Sequence, residues 1–249
     1  MAKFDMGAAW DDAVVLLRSH LPLTGTIAAV FLFLPTLFVS WLGPVTPEPP
    51  AGATVEQIVA LFQTSMREML PYQLAVAIVS AVGGIAILRL WLARTGTSVG
   101  DALGFAAMLV PTMIVVQILL GLALGIGFLL LIVPGLYLWG RLALVSPAIA
   151  DRGTRNPIAA LQESWQLTRG NGWRLFLFLF LVTIVIFIVA MILGGILVAV
   201  AGAAGDGVGR LLTGLVEGGV TGAGGLVSLA VTAAAYRQLA IRGAQETFG

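Results

Sequence analysis

No cysteine occurs in the 249 residues, and histidine occurs once, as His20. The first absence excludes disulfides, thiolate catalysis and cysteine metal sites. The second excludes a histidine-rich metal centre or a paired-histidine acid/base centre. Charge is scarce: Asp, Glu, Lys and Arg make up 10% of the chain, against roughly 25% in soluble domains. A net charge of +1 gives no field for nucleic acid. There is no phosphate-cradling glycine loop. No Asp or Glu falls clearly at the middle of an apolar run, where a proton-coupled transporter needs its relay. The expectation is a chain that is not an enzyme, with no catalytic residue, cofactor or metal.

What is there is apolar. Hydrophobic residues make up 59% and glycines number 31, a composition of membrane-spanning helices. The fold expected is all-α and integral to the membrane, a single domain over residues 1–249 with six transmembrane helices. Asp5 to Arg18 reads as an amphipathic helix with Trp10, Ala13, Val14 and Leu17 on one face. Asp5, Asp11 and Asp12 stand where a signal peptide would be basic, so the start is not read as one.

The first span is expected from about Leu21 to Leu42, closed by Gly43-Pro44. Thr54 and Gln57 read as a capping box for a second surface helix that Pro71 closes, and Tyr72 to Ala93 as the second span. The apolar run from Ala102 to Ala150 fits two antiparallel spans bending at Gly125 to Gly127. Within it, Pro134-Gly135 should kink the fourth span. The fifth span runs from about Arg174 to Val200. A short surface helix is expected near Val208 to Leu215 and the sixth span from Gly218 to Ile241. Gly121 with Gly125, and the row Gly214, Gly218, Gly222, place glycine on one helix face for close packing. Of the 13 basic residues only Arg67 and Arg210 fall in the outer loops. The positive-inside rule therefore puts both termini in the cytoplasm.

The central polar stretch, Asn156 to Arg174, is written as a small helix. Asn156 is its cap, Pro157 its first residue and Gly170-Asn171 its stop. Ile158, Leu161, Ser164, Trp165 and Leu167 share one half of the cylinder, so it should lie at an interface, with Trp10, Trp165 and Trp173 as anchors.

The passage from Leu129 to Phe176 carries Pro134-Gly135, Arg141, Pro147, Pro157, Ala160-Leu161, Ser164-Trp165, Leu167-Thr168 and Gly170-Asn171. It resembles the YciC-like bacterial membrane proteins and the related membrane domain of some glycerophosphodiester phosphodiesterases. That resemblance implies the bacterial inner membrane and a connection to lipid or the envelope. It implies no settled activity. The histidines and acidic metal cluster of a phosphodiesterase domain are missing here.

Three segments begin alike, at Asp5, Ser98 and Asn156, each with Ala and then a large apolar residue four and five positions on. Each precedes two spans, and the second of each pair carries an arginine: Arg89, Arg141 and Arg237. The reading is three helical hairpins, each preceded by a cytoplasmic interfacial amphipathic helix, in repeat units 5–94, 98–150 and 156–242. The arginines are either snorkelling topology signals or a ring that binds lipid phosphate, extended by Arg152, Arg155 and Arg169. Asp101, Asp151 and Glu163 are competing partners. The function expected is binding of anionic lipid at the cytoplasmic leaflet. The alternatives are a transporter or channel using Thr112, Gln117 and Ser228, or an anchor or regulatory subunit for a separately encoded enzyme. Partners expected are membrane lipids, with a homo-oligomer or an enzyme partner left open.

Overall fold

The computed structural model describes residues 3–44, 49–93, 96–204 and 206–248, with side chains left undescribed over 198–204, 206 and 241–248. Every regular element in it is helical. The helices are α1 Met6–Ala28, α2 Leu34–Leu42, α3 Val55–Leu92, α4 Val99–Met108 and α5 Val110–Leu130. They continue as α6 Ile132–Leu142, α7 Val145–Arg152, α8 Pro157–Leu167, α9 Gly172–Ala204 and α10 Asp206–Phe248. Six segments among the described residues are long and apolar enough to cross a membrane: Met6–Leu42, Val55–Leu92, Val110–Leu130, Ile132–Arg152, Gly172–Leu197 and Gly207–Ala240. Large apolar side chains such as Leu181, Phe187 and Ile192 point outward, as lipid-facing helices require.

Several boundaries differ from those expected. The amphipathic start and the first span are one continuous segment, α1 joined to α2 through a π-helical turn at Ala29–Phe33. Within it the Phe31 carbonyl, whose α-helical partner would be Pro35 with no N–H, accepts from the Ser80 hydroxyl of α3 at 3.2 Å. Thr54 and Gln57 do form the capping box, but Pro71 lies inside an unbroken α3 instead of ending a surface helix. A single proline removes one N–H, which a helix of 38 residues absorbs. The proposed surface helix at 208–215 is likewise the start of α10.

The third and fourth spans turn at Leu131, not at Gly125 to Gly127, which lie within α5. Pro134 sits in the first turn of α6, where its missing N–H has no helical partner to lose, so no kink arises there. Gly127 and Gly135 make the tight turn feasible, since a Cβ on Gly127 would lie 3.1 Å from the Gly135 Cα. The row Gly214, Gly218, Gly222 packs α10 against α2 and the π turn, with Phe33 and Leu37 filling the space. Gly121 and Gly125 face open space and support no helix contact.

Candidate functional site

Several of the resemblance-bearing residues meet where the fourth span breaks, between α6 and α7. Pro147 has no N–H to offer the Ala143 carbonyl, so the helical ladder fails over residues 143–144. Two backbone groups at the break, the Arg141 carbonyl and the Leu144 amide, are taken up by α8. The Ser164 hydroxyl donates to the Arg141 carbonyl at 2.8 Å and accepts from the Leu144 N–H at 3.2 Å. The Thr168 hydroxyl lies 3.0 Å from the same carbonyl and 2.7 Å from that of Ser164, so its one proton is shared. Ser164 and Thr168 are fully buried.

α8 begins and ends as its sequence dictates. Asn156 Oδ1 accepts from the Ile158 and Ala159 amides, Pro157 follows, and Gly170 turns the chain at φ +76°. Its apolar face is rotated from the one expected. Ala160 and Ser164 point inward, while Ile158 is exposed and Trp165 is 41% exposed.

The Arg141 side chain runs from this break into an aromatic cradle and is 3% exposed. Its guanidinium carbon lies 4.1 Å over the Trp165 ring and 5.8 Å from the Tyr137 ring. Tyr137 meets Trp165 edge-on at 6.2 Å and Trp173 at 5.6 Å. Gly172 leaves room for the arginine, because a Cβ there would sit 2.7 Å from the Arg141 Cδ. Arg141 Nε is buried without a hydrogen-bond partner, and no carboxylate among the described residues pairs with the guanidinium. Aromatic faces stabilise a cation by about 0.5–2 kcal/mol. They do not supply the hydrogen bonds that a buried guanidinium has given up.

The other two repeat arginines are occupied. Arg89 donates to the carbonyls of Ala150 and Asp151, at 3.1 and 2.8 Å, and lies 4.4 Å over the Phe105 ring. Those carbonyls are at the negative end of α7, where a cation is favoured. Arg237 pairs with Asp12 at 3.2 Å. The arginines therefore form no shared cluster. Each reaches the helix that opens another segment: Arg89 reaches α4, Arg141 reaches α8 and Arg237 reaches α1.

Those three helices are alike in detail. Asp5, Ser98 and Asn156 are all side-chain N-caps. Four residues on, Ala9, Ala102 and Ala160 are buried, and eight on, so are Ala13, Ala106 and Ser164.

Arg152 stands apart from Arg141. Its Nε lies 2.8 Å from Glu163 Oε1, while Asp151 accepts from the Tyr236 hydroxyl at 2.8 Å. Burial holds the Glu163 carboxyl above the usual carboxylate range, with Asp151 adding to the shift and Arg152 opposing it. Arg155 and Arg169 are exposed. Trp10 and Trp173 are about half exposed, as Trp165 is. Of the residues considered for a polar path, Thr112 donates to the Arg155 carbonyl at 3.0 Å, and Gln117 and Ser228 are exposed on different helices. They do not converge.

Nothing in the sequence singles out Tyr137 or Gly172, and Ser164 and Thr168 stand out only through the resemblance and the helix face. The signal was present in the Ser164, Thr168 spacing of four, which puts two hydroxyls on one helix face.

The family described as the membrane domain of glycerophosphoryl diester phosphodiesterase matches residues 105–232, just over half the chain, and so covers the break, the cradle and α8. No curated protein and no solved structure matches. The match is to the membrane domain alone, and this multi-pass chain belongs to that family.

Proposed function

We propose that this chain is a non-catalytic lipid-binding domain of the bacterial inner membrane, in which Arg141 takes the phosphate of an anionic lipid. The carrying observation is the buried and unpartnered Nε of Arg141. Of three arginines in equivalent positions, one holds helix carbonyls, one holds a carboxylate, and Arg141 has a buried Nε with no partner. A lipid phosphate at the interface would supply charge and acceptors together, and charge-assisted hydrogen bonds of this kind are worth about 1.5–3 kcal/mol each. Tryptophan and tyrosine at headgroup depth suit the cradle to that position.

The same observations support three repeat units, each an interfacial helix followed by a helical hairpin. The arginine of each unit reaches the opening helix of the next, and that of the third returns to the first. With the charge asymmetry of the loops, these helices lie on the cytoplasmic side, as do both termini. Arg152, Arg155 and Arg169, all exposed, would add positive charge at the cytoplasmic surface. A second reading, an anchor for a separately encoded phosphodiesterase, draws support from the description of the matched family.

Native mass spectrometry of gently extracted protein tests the lipid reading. Arg141→Lys keeps the charge but loses the planar fork, and should weaken retention of anionic lipid. Arg141→Leu should insert at least as well, since it removes an insertion cost of about 2.5–3.5 kcal/mol, and should lose this lipid. Asp151→Asn, whose carboxylate serves Tyr236, should retain it. Equal retention by all three would refute the reading.

A further inference from the structure

An apolar groove lies on the opposite face of α9 from Arg141. We infer that the groove between α9 and α10 holds an acyl chain of an anionic phospholipid whose phosphate sits on Arg174. The groove has a volume of about 540 Å³ and an almost wholly apolar lining. Its floor is the contact of Gly224 with Ile186, where a Cβ on the glycine would come within 2.9 Å of the isoleucine. One wall is Val185 and Val189 of α9, and the other is Gly219 and Ala223 of α10. No heavy atom lies within 4 Å of where a Gly219 Cβ would be, so α10 leaves that space open. From Phe178 to Leu193 the α9 wall runs roughly 22 Å at the helical rise of 1.5 Å per residue. One leaflet of a ~30 Å hydrocarbon core is about 15 Å deep. A whole acyl chain therefore fits along it.

Apolarity alone selects no occupant, because lipid tails are as apolar as the groove and filling it gains little from the hydrophobic effect. The end near Trp10 supplies the selection. Arg174 is one turn before Phe178, on the same α9 stripe as Val185 and Val189, and is exposed. Lys3, also exposed, precedes Phe4, whose ring lies 5.5 Å from that of Phe178. The nearby acids are mostly committed. Asp5 caps α1 and Asp12 pairs with Arg237, while Asp11 is about 100° round α1 from Trp10. Two cations with no ion-pair partner among the described residues, at the mouth of an apolar channel, match an anionic headgroup above its own chain. Zwitterionic lipid gives the same chain without the net charge.

The test uses the full chain in phosphatidylcholine nanodiscs carrying a minor fraction of phosphatidylglycerol, with retained lipids counted by native mass spectrometry. Gly219→Leu places a side chain in the open groove without a backbone clash and should remove one retained lipid. Ala223→Leu is the second plug should the first perturb folding. Arg174→Gln, an exposed change, should lower the phosphatidylglycerol preference about fivefold, the worth of one interfacial cation, while a lipid is still retained. Lipid counts unchanged by either plug, or a preference unchanged by Arg174→Gln, would overturn the proposal. Arg141→Leu in the Gly219→Leu background keeps the two sites distinct. If only the Arg141 site binds, that variant loses lipid and Gly219→Leu alone does not.

Discussion

The bracing of the α6–α7 break makes an unequal prediction for two similar hydroxyls. Ser164→Ala removes the acceptor for the Leu144 N–H and the better of two donors to the Arg141 carbonyl. The carbonyl keeps Thr168, but the amide is left buried and unpaired. An orphaned buried group costs about 1–3 kcal/mol, and the lost carbonyl bond adds about 1 kcal/mol. The expected cost is therefore about 2–4 kcal/mol. Thr168→Val leaves the carbonyl bonded to Ser164 and removes a proton already shared with a helical acceptor, so about 1 kcal/mol is expected. In the double variant the Arg141 carbonyl has neither donor, so the losses should exceed the sum of the singles by about 1 kcal/mol. Thermal unfolding in one detergent at one scan rate reads this, since about 1 kcal/mol shifts Tm by roughly 2–4 °C in a chain of this size. Equal losses from the two single variants, or additive losses in the pair, would refute the reasoning.

Gly172→Ala puts a methyl group 2.7 Å from the Arg141 Cδ, so it should displace the guanidinium from its cradle and lower anionic-lipid retention with no change in charge. Retention equal to the wild type would show that the cradle does not set the arginine's position. Burial raises the Glu163 pKa above its ordinary value of 4.5, so folding favours its neutral form. The stability this gives is present below about pH 4.5 and is lost as pH rises through the raised folded value. Glu163→Gln should thus unfold no lower than wild type at pH 7 and show a flatter loss of Tm above pH 4.5. A clearly lower Tm at pH 7 would mean that the Arg152 contact outweighs burial. Single cysteines at Thr54 and Gly207 should label from outside the cell, and those at Gly96, Thr154 and Thr247 only from inside. Outside labelling at Thr154 would overturn the orientation.

What the sequence by itself determined is what local chemistry dictates. Asp5, Ser98, Thr54 and Asn156 cap helices because their side chains reach amides two or three residues away, and Gly170 stops α8 because it adopts a positive φ at no steric cost. Six apolar segments of spanning length follow from composition along the chain. Where helices continue was less legible. Pro71 looks like a stop in sequence, yet the neighbouring turns of a long helix carry the chain through it. Ahead of Pro147 the helix does end, and Ser164 and Thr168 from α8 bond the Arg141 carbonyl and the Leu144 amide at the break.

Only the tertiary structure decided what each arginine does. Arg89, Arg141 and Arg237 look equivalent along the chain, but their partners come from elsewhere in it: carbonyls on α7, an indole on α8, and a carboxylate 225 residues away on α1. A buried cation settles on whichever acceptors packing delivers, and no local pattern encodes which helix will arrive. Along the chain each of the three arginines falls in the second span of a pair. Packing gave Arg89 helix carbonyls and Arg237 a carboxylate, and left Arg141 in an aromatic cradle with its Nε unpartnered among the described residues.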